Sequence, residues 1–518
     1  MRTLLGICFL PVLLALSSCR SEPATVDEAA VKTVEPHRPN FHFTPPEKWM
    51  NDPNGMVYFE GEYHLFYQYY PDSTVWGPMH WGHAVSTDLG HWEHLPIALY
   101  PDSLGYIFSG SAIVDWKNTS GFGQDGQPPM VAMFTYHNPV GEAAGNIDFQ
   151  YQGIAYSNDK GRSWTKYEGN PVVPNPGIRD FRDTKVIRDT ARDRWLMVLA
   201  AWDHSKFYSS PDLKNWTFLS DFGKEWGVHG GVWECPDFFP VTVEGTDTEK
   251  WVLLQSLNPG GPNGGSGTQY FIGDFDGQYF TLDPEFAPAV TDSQAVWLDW
   301  GRDNYAGVTW SDAPDQRRLF IGWMSNWDYA QVVPTQTWRS AMTLPRELKL
   351  LQTPEGLRLQ SLPVPELQQL RRTEAPIDPD TFTADQAIPF YPEGTELILR
   401  FTKPQNTDQV GIRLRNAKGE SYRIGYDAAT NSYFSDRRQA GKTDFSPSFA
   451  TAVHYAPRQA LGDTLELHLF FDVASVELFA DDGMINLTDI YFPTQPFDEA
   501  FLLGGEGLEA VQIYKLGE

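Results

Sequence analysis

Between His42 and Trp323 the apolar residues come in short runs broken by Gly, Asn, Asp and Pro. Met56-Val-Tyr-Phe59, Tyr63-His-Leu-Phe-Tyr67, Trp195-Leu-Met-Val-Leu199 and Trp251-Val-Leu-Leu254 are such runs. Short apolar runs bounded by turn residues predict strands, and the 3.6-residue period of a long helix is absent. Leu344 to Arg372 predicts a closing strand pair followed by a short Leu-rich helical connector. Beyond it, Glu396-Leu-Ile-Leu-Arg-Phe401, Val410-Gly-Ile-Arg-Leu414 and Leu465-Glu-Leu-His-Leu-Phe-Phe471 lead a second strand-rich region. Several of its strands alternate with period two, which implies one buried face each, as in a β-sandwich.

A repeat sharpens the all-β reading. Ser86-Thr-Asp88-Leu-Gly-His-Trp92 recurs as Ser157-Asn-Asp159-Lys-Gly-Arg-Ser-Trp164 and as Ser210-Pro-Asp212-Leu-Lys-Asn-Trp216, at spacings of 71 and 53 residues. Each copy sits between two apolar runs, as a hairpin turn does, with the Asp capping the turn and the Trp packing beneath it. A period of that size in all-β sequence predicts propeller blades, roughly five in about 310 residues. The expected architecture is a five-bladed β-propeller over residues 40–350, a connector over 351–375 and a β-sandwich over 376–518.

The first residues have a different pattern. Arg2 precedes an apolar run from Leu4 to Leu16, too short to span a bilayer comfortably, which closes on Leu16-Ser-Ser-Cys19. This resembles a bacterial lipoprotein signal peptide, residues 1–19, with Cys19 as the lipidated residue. Residues 20–39, with Ser, Glu, Pro, Ala and Thr and few large apolar groups, read as a flexible tether. The expected location is across the inner membrane, with the chain lipid-anchored on the periplasmic side or at the cell surface.

Composition narrows the partners. The formal charge of −28 lacks the basic surplus that counters phosphate, which disfavours a nucleic-acid role and fits a neutral substrate. Eighteen Trp and 23 Tyr suit a surface that stacks on the apolar faces of sugar rings, although aromatics also fill cores. Of the three cysteines only Cys235 lies in the folded body, so that body has no intrachain disulfide and relies on its core. With no His-x-x-x-His pair or Cys cluster, neither metal nor cofactor is expected.

Three carboxylates stand in unusual contexts. Asp52 lies in the turn sequence Trp49-Met-Asn-Asp-Pro-Asn-Gly55 just before a strand. Asp183 lies in Ile178-Arg-Asp-Phe-Arg-Asp-Thr-Lys-Val186, where Arg182 favours its ionised form. Glu234 lies in Val232-Trp-Glu-Cys-Pro-Asp-Phe-Phe239, where apolar neighbours disfavour a charge and suit a general acid. Alone, each also reads as an ordinary turn, ion-pair or strand-edge residue. Together they fit glycoside cleavage, which needs an ionised carboxylate and a carboxylic acid flanking one bond.

These segments resemble glycoside hydrolase family 32, the invertase, inulinase and levanase family, from Asn40 to the end. Trp49-Met-Asn-Asp-Pro-Asn-Gly55 is similar to its nucleophile motif and Trp233-Glu-Cys-Pro236 to its acid/base motif. Phe108-Ser-Gly-Ser-Ala112, Gly82-His-Ala-Val-Ser-Thr-Asp88, Gly273-Asp-Phe-Asp-Gly277, Phe320-Ile-Gly-Trp-Met-Ser-Asn326 and Trp338-Arg-Ser-Ala-Met-Thr-Leu-Pro345 match as well. The resemblance implies a retaining β-fructofuranosidase acting on fructans (levan, inulin) and on sucrose. Asp52 would be the nucleophile, Glu234 the acid/base and Asp183 the transition-state stabiliser. Trp49, Asn51, Gln68, Trp76, Ser109, Arg182 and Trp323 would line the fructose pocket. Thr184 departs from the family pattern, which has Pro there; Cys235 is read as a neighbour that tunes Glu234. Exo action releasing fructose is expected, an endo-acting levanase and a non-catalytic fructan-binding lipoprotein being the alternatives. An inverting arabinanase-type hydrolase is the rival within the same predicted fold. Linkage preference, the sandwich's role and the oligomeric state stay open.

Overall fold

The periodicity of two carries through the tertiary structure, a computed structural model that describes residues 35–375, 386–404, 408–460, 462–504 and 507–517. The proposed signal peptide, Cys19 and residues 20–34 of the tether lie outside the described residues. Among the described residues no helix is long and apolar enough to cross a membrane.

Five sheets follow one another along the chain. The first is β1 (Lys48–Phe59), β2 (Glu62–Tyr70), β3 (His80–Ser86) and β4 (Glu93–Leu99). The second is β5 (Tyr106–Val114), β6 (Met130–His137), β7 (Gln150–Ser157) and β8 (Thr165–Lys166). The third is β9 (Phe181–Asp189), β10 (Arg194–Ala201), β11 (His204–Ser210) and β12 (Thr217–Phe222). The fourth is β13 (Val232–Thr242), β14 (Glu249–Asn258), β15 (Gly267–Phe275) and β16 (Phe280–Leu282). The fifth joins β17 (Tyr305–Thr309), β18 (Arg318–Met324), β21 (Arg346–Thr353) and β22 (Gly356–Pro363). The short strands β19 (Trp338–Arg339) and β20 (Ala341–Met342) lie between β18 and β21 in the chain, and β19 pairs in parallel with β1 through Lys48–Trp338 and Trp49–Arg339. The first strands of the five sheets touch in a closed circuit: β1 meets β5, β5 meets β9, β9 meets β13, β13 meets β17 and β17 meets β1. Twelve strands among the described residues between 371 and 516 form two six-stranded antiparallel sheets that share one apolar core, including Leu399, Ile412, Tyr433 and Leu478.

The three repeated turns occupy one structural position, between the third and fourth strands of the first three sheets. In each, the Ser hydroxyl donates to the Asp carboxylate: Ser86 to Asp88 at 3.2 Å, Ser157 to Asp159 at 2.7 Å and Ser210 to Asp212 at 3.1 Å. The Asp in turn accepts backbone N–H groups two to four residues on, from His91, Ser163 and Asn215. Side-chain acceptors thus replace the ladder where it reverses.

The boundary expected at residue 350 falls inside β21, and residues 351–375 are more than a connector. They hold β22, a six-residue 3₁₀ helix at Pro365–Leu370, and a strand at Arg371–Ala375 that pairs with Leu508–Leu516 of the second region. Arg371-Arg-Thr-Glu-Ala375 has no apolar pattern, because an edge strand with both faces half wet needs none.

A buried polar network joins the fifth sheet to the second region. Arg346 pairs with Asp299 and Glu477, and the fully buried His42 bridges Asp472 Oδ2 at 2.8 Å and Glu477 Oε1 at 3.0 Å. Burial opposes the imidazolium, but the hydrogen bonds and charges of Asp472 and Glu477 push His42 up to about 9. A folded-state value above the ordinary 6.5 stabilises the fold fully below pH 6.5, and that contribution is lost as pH rises through 9. Melting temperature should therefore fall between pH 6.5 and 9. His42→Gln should flatten that slope, and an unchanged slope would show that the bridge is not charged.

Candidate active site

Each of the five first strands carries a bulge; three of the five bulges hold a residue that lines one cavity, and Glu234 stands immediately before a fourth. The pairing slips at Asn51–Asp52 in β1, at Ser109 in β5, at Asp183–Thr184 in β9, at Cys235–Pro236 in β13 and at Ala306–Gly307 in β17. A bulge adds a residue on one strand and turns its side chain away from the ladder. Asp183 and Cys235 take left-handed φ values of 64° and 43°, strained backbone held by the surrounding sheets. Asp52, Ser109 and Asp183 in their bulges, and Glu234 beside the fourth, thus converge from 57, 74 and 51 positions apart on one volume of about 390 Å³, a size typical of a small-molecule site.

The cavity is lined by Asn51, Asp52, Gln68, Trp76, Ser109, Arg182, Asp183 and Glu234, eight of the ten residues expected there. Trp49 and Trp323 do not line it. Both are fully buried and pack behind the wall with Tyr305 and Trp327, and it is Trp327 that reaches the cavity. Trp49 Nε1 donates to Asn51 Oδ1 at 2.7 Å, so it orients a lining residue and leaves none of its own surface for a ligand.

Asp52 is held on both oxygens. Asn51 Nδ2 donates to Oδ1 at 3.0 Å and Ser109 Oγ to Oδ2 at 2.9 Å. Burial raises its proton affinity, Glu234 adds to that, and the Asn51 and Ser109 hydrogen bonds oppose it. Ser109→Ala removes one of the groups that favour the anion. A nucleophilic role for Asp52 would require the anion, so the acidic limb of the kcat/KM–pH profile should then move to higher pH. A limb that stays in place would show that Ser109 does not act on Asp52.

Glu234 departs from the expected apolar setting. Trp233 and Phe238 do pack in the core, but side chains alternate along a strand and Glu234 faces the cavity. One carboxyl oxygen accepts Arg182 Nη2 at 2.7 Å and the other accepts the Tyr305 hydroxyl. Arg182 also donates to Asp180 and lies 3.8 Å from Asp183, so the paired Arg-Asp sequence forms a buried bridge between two lining elements. Asp183 Oδ2 accepts the Cys235 backbone N–H at 3.1 Å. Burial pushes Asp183 up to about 7, with Arg182 opposing and Glu234 and Asp52 reinforcing, so the neighbouring Arg does not secure its ionisation as expected. Thr184, in place of a Pro, donates its hydroxyl to the Met133 carbonyl of β6 at 3.2 Å, which ties the bulge to the second sheet.

Cys235 touches Asp52 and Asp183, not Glu234. Its Sγ lies 3.5 Å from Asp52 Oδ2 and 3.6 Å from Asp183 Oδ2. Burial and the three surrounding carboxylates push the thiol well up, so it is a weak donor and no thiolate. Gln68 Nε2 is buried with no partner, a donor left for a ligand oxygen.

Sequence reasoning missed Tyr305, Asp180, Gln150, Phe108, His137, Phe149 and Glu142. Asp180 had a local signal in the doubled Arg-Asp, and Phe108 in the motif Phe108-Ser-Gly-Ser-Ala112 that it opens. Tyr305 stands in Asp303-Asn-Tyr-Ala306, which carries no motif, and the rim residues come from a loop between β6 and β7. Among the described residues no group of His, Cys, Asp and Glu is arranged to hold a metal ion.

Known proteins share this arrangement of sheets and motifs. Residues 42–363 match the glycosyl hydrolases family 32 N-terminal domain and residues 366–514 the glycosyl hydrolases family 32 C-terminal domain. A levanase of Bacillus subtilis strain 168 is 49% identical over 469 residues, which cover 89% of this chain and 67% of that protein. The crystal structure of an exo-inulinase from Aspergillus awamori superposes with a TM-score of 0.86 at 36% identity, covering 93% of this chain and 99% of that one. The β-fructofuranosidase of Schwanniomyces occidentalis, solved with fructosyl-erythritol, superposes with a TM-score of 0.82 at 32% identity, covering 95% and 100%. With its two matched domains spanning nearly all the described residues, this chain belongs to glycosyl hydrolases family 32.

Proposed function

We propose that the chain hydrolyses β-fructofuranosidic bonds of fructans by a retaining double displacement, acting from chain ends and releasing fructose. The five sheets are then the blades of a propeller and the cavity is its axial pocket. The observation that carries the reading is the convergence of Asp52, Asp183 and Glu234 on one cavity, with Arg182 and Ser109 orienting two of them.

In the first step Glu234, protonated, gives its proton to the leaving oxygen while the Asp52 carboxylate bonds to the anomeric carbon. In the second, water loses a proton to Glu234 and attacks the same carbon, and the Asp52 carboxylate departs. Tyr305 and Arg182 hold the Glu234 carboxyl in place for both transfers. Asp183 and Gln68 take fructosyl hydroxyls, one as an acceptor and the other as a donor. Trp76 and Trp327 offer apolar faces at the rim. Likeness to an exo-inulinase over 93% of this chain and 99% of that one supports the exo mode.

Residues 1–19 supply export and Cys19 a lipid anchor, so the enzyme works at a membrane surface on soluble polymer. Cys19→Ala should move the protein from the detergent phase to the aqueous phase on phase partitioning. Retention in the detergent phase would remove the anchor.

The test of function is direct. The soluble chain lacking residues 1–19 is incubated with levan, inulin, sucrose and arabinan, and products are separated by chromatography. Fructose as the first and only small product is expected. A ladder of fructo-oligosaccharides would change the mode to endo. Release from arabinan alone would overturn the substrate class, and binding without release would overturn catalysis.

A further inference from the structure

A second cavity lies at the opposite ends of the same strands. Its volume is about 640 Å³, larger than the active-site cavity. Along β9 the chain passes from Asp183 at one cavity to Arg188 at the other, and along β13 from Glu234 to Pro240. At about 3.3 Å per residue these particular residues stand roughly 17–20 Å apart, and the two linings come nearest at Asp183 and Lys185 of β9. The two cavities share no lining residue, and at the inner end of the second the buried Lys185 ammonium donates to the Thr309 carbonyl at 2.5 Å and to Asp237 at 3.3 Å. The second cavity is therefore a separate site.

Its chemistry is that of a receptor for a neutral polyol. Four basic and four acidic side chains line it, so it has no net charge to select an anion or a cation. Trp116 at its wall is 59% exposed, the most exposed tryptophan among the described residues. The ring is nevertheless fixed: Nε1 donates to Asp312 Oδ1 at 3.0 Å, and Phe59 packs against it at 5.7 Å in an edge arrangement. Asp312, at a left-handed φ of 56°, also accepts the Val114 N–H at 3.4 Å and so anchors the platform to β5. Two buried polar atoms of the lining residues, Arg188 Nη1 and Ser311 Oγ, have no partner. Buried polar groups are nearly always hydrogen-bonded, so these are donors that a ligand hydroxyl would satisfy. A rigid aromatic face beside unpaired donors is what a sugar ring needs, with its C–H face on one side and its hydroxyls on the other.

We infer that this cavity is a second, non-catalytic binding site for a β-fructan chain, with Trp116 as its stacking platform. The choice of sugar rests on the function proposed above. Long polymer would engage both sites, and the second attachment would raise the local concentration of chain ends at the first. A trisaccharide is too short to reach around the molecule and would use the catalytic cavity alone.

The experiment compares the parent with Trp116→Ala and Asp312→Asn on long levan, long inulin and a fructosyl-terminated trisaccharide. KM for the polymers should rise about fivefold in Trp116→Ala, a loss of roughly 1 kcal/mol of binding, with kcat and the trisaccharide KM unchanged. In a Glu234→Gln background, retardation of the protein in a native gel containing the polymer should weaken with the same substitution. Unchanged polymer KM and unchanged retardation would overturn the second site while leaving the catalytic reading intact. If Trp116→Ala loses trisaccharide turnover as well, it has misfolded and Asp312→Asn decides: a raised polymer KM supports the site and an unchanged one overturns it. If the parent releases no fructose from any fructan, the proposed function falls. Retardation that depends on Trp116 would then still uphold the site.

Discussion

Glu234→Gln lowers turnover of fructan by about 10²–10⁴-fold, the range for loss of a positioned acid/base. The side chain keeps its shape, and its amide oxygen still accepts from Arg182 or Tyr305, so binding should change little and the loss should fall in kcat. What disappears is the proton. The size of the loss should depend on the leaving group. A substrate whose leaving oxygen needs no proton should still be attacked by Asp52, and the fructosyl–enzyme ester should accumulate because water is no longer deprotonated. Azide, which needs no base, should then restore turnover and trap fructosyl azide with retained configuration. Burst kinetics, azide rescue and the configuration of the product check this. Full activity in the variant would remove Glu234 from catalysis, and an inverted product would remove Asp52 as nucleophile.

Arg346→Met destabilises the fold by about 3–5 kcal/mol, the cost of leaving a buried charge without its partner. Arg346 is fully buried. Its guanidinium bonds Asp299 at 2.9 Å, Glu477 at 2.5 and 3.2 Å and the Thr488 hydroxyl at 2.7 Å, over the Phe479 ring. Removing it strands two carboxylates between the fifth sheet and the two six-stranded sheets. Arg346→Lys keeps the charge but loses the fork, so it should fall between parent and Met variant. Burial alone would raise the Glu477 carboxyl, yet Arg346 and His42 hold it below its ordinary 4.5. A depressed carboxylate contributes stability above that pH and loses it as pH falls through the folded value. Parent stability should therefore decline below pH 4.5, and the decline should shrink in Arg346→Met. Urea unfolding at several pH values tests both statements. A midpoint unchanged by the substitution would show that the network carries no net stability.

The strands, their turns and the three carboxylates were legible along the chain because each is written in local chemistry. Apolar runs of four or five residues between Gly, Asn, Asp and Pro can only bury themselves as strands. Ser-x-Asp before a Gly or Asn supplies its own turn, and it recurs because the third-to-fourth-strand hairpin recurs. Asp52 and Glu234 stood out through the motifs around them. Tyr305 did not, because its role depends on β17 lying beside β13, a neighbour some 70 positions away in the chain. The reading of Trp49 and Trp323 as lining residues failed for a related reason: a motif preserves a residue whether it touches the ligand or supports one that does. The setting of Glu234 was misjudged because apolar neighbours in sequence lie on the opposite face of a strand, while those in space came from β9 and β17. The sequence by itself thus determined the all-β class, the turn repeat and the choice of three carboxylates that meet in one cavity. The tertiary structure alone decided which side chains share the cavity, what holds each carboxyl, and that a second cavity opens at the far ends of the same strands. The physical reason is that strand formation and turns are settled within a few residues, whereas a site at the meeting of five first strands depends on bulge positions and on contacts between sheets that no local pattern records.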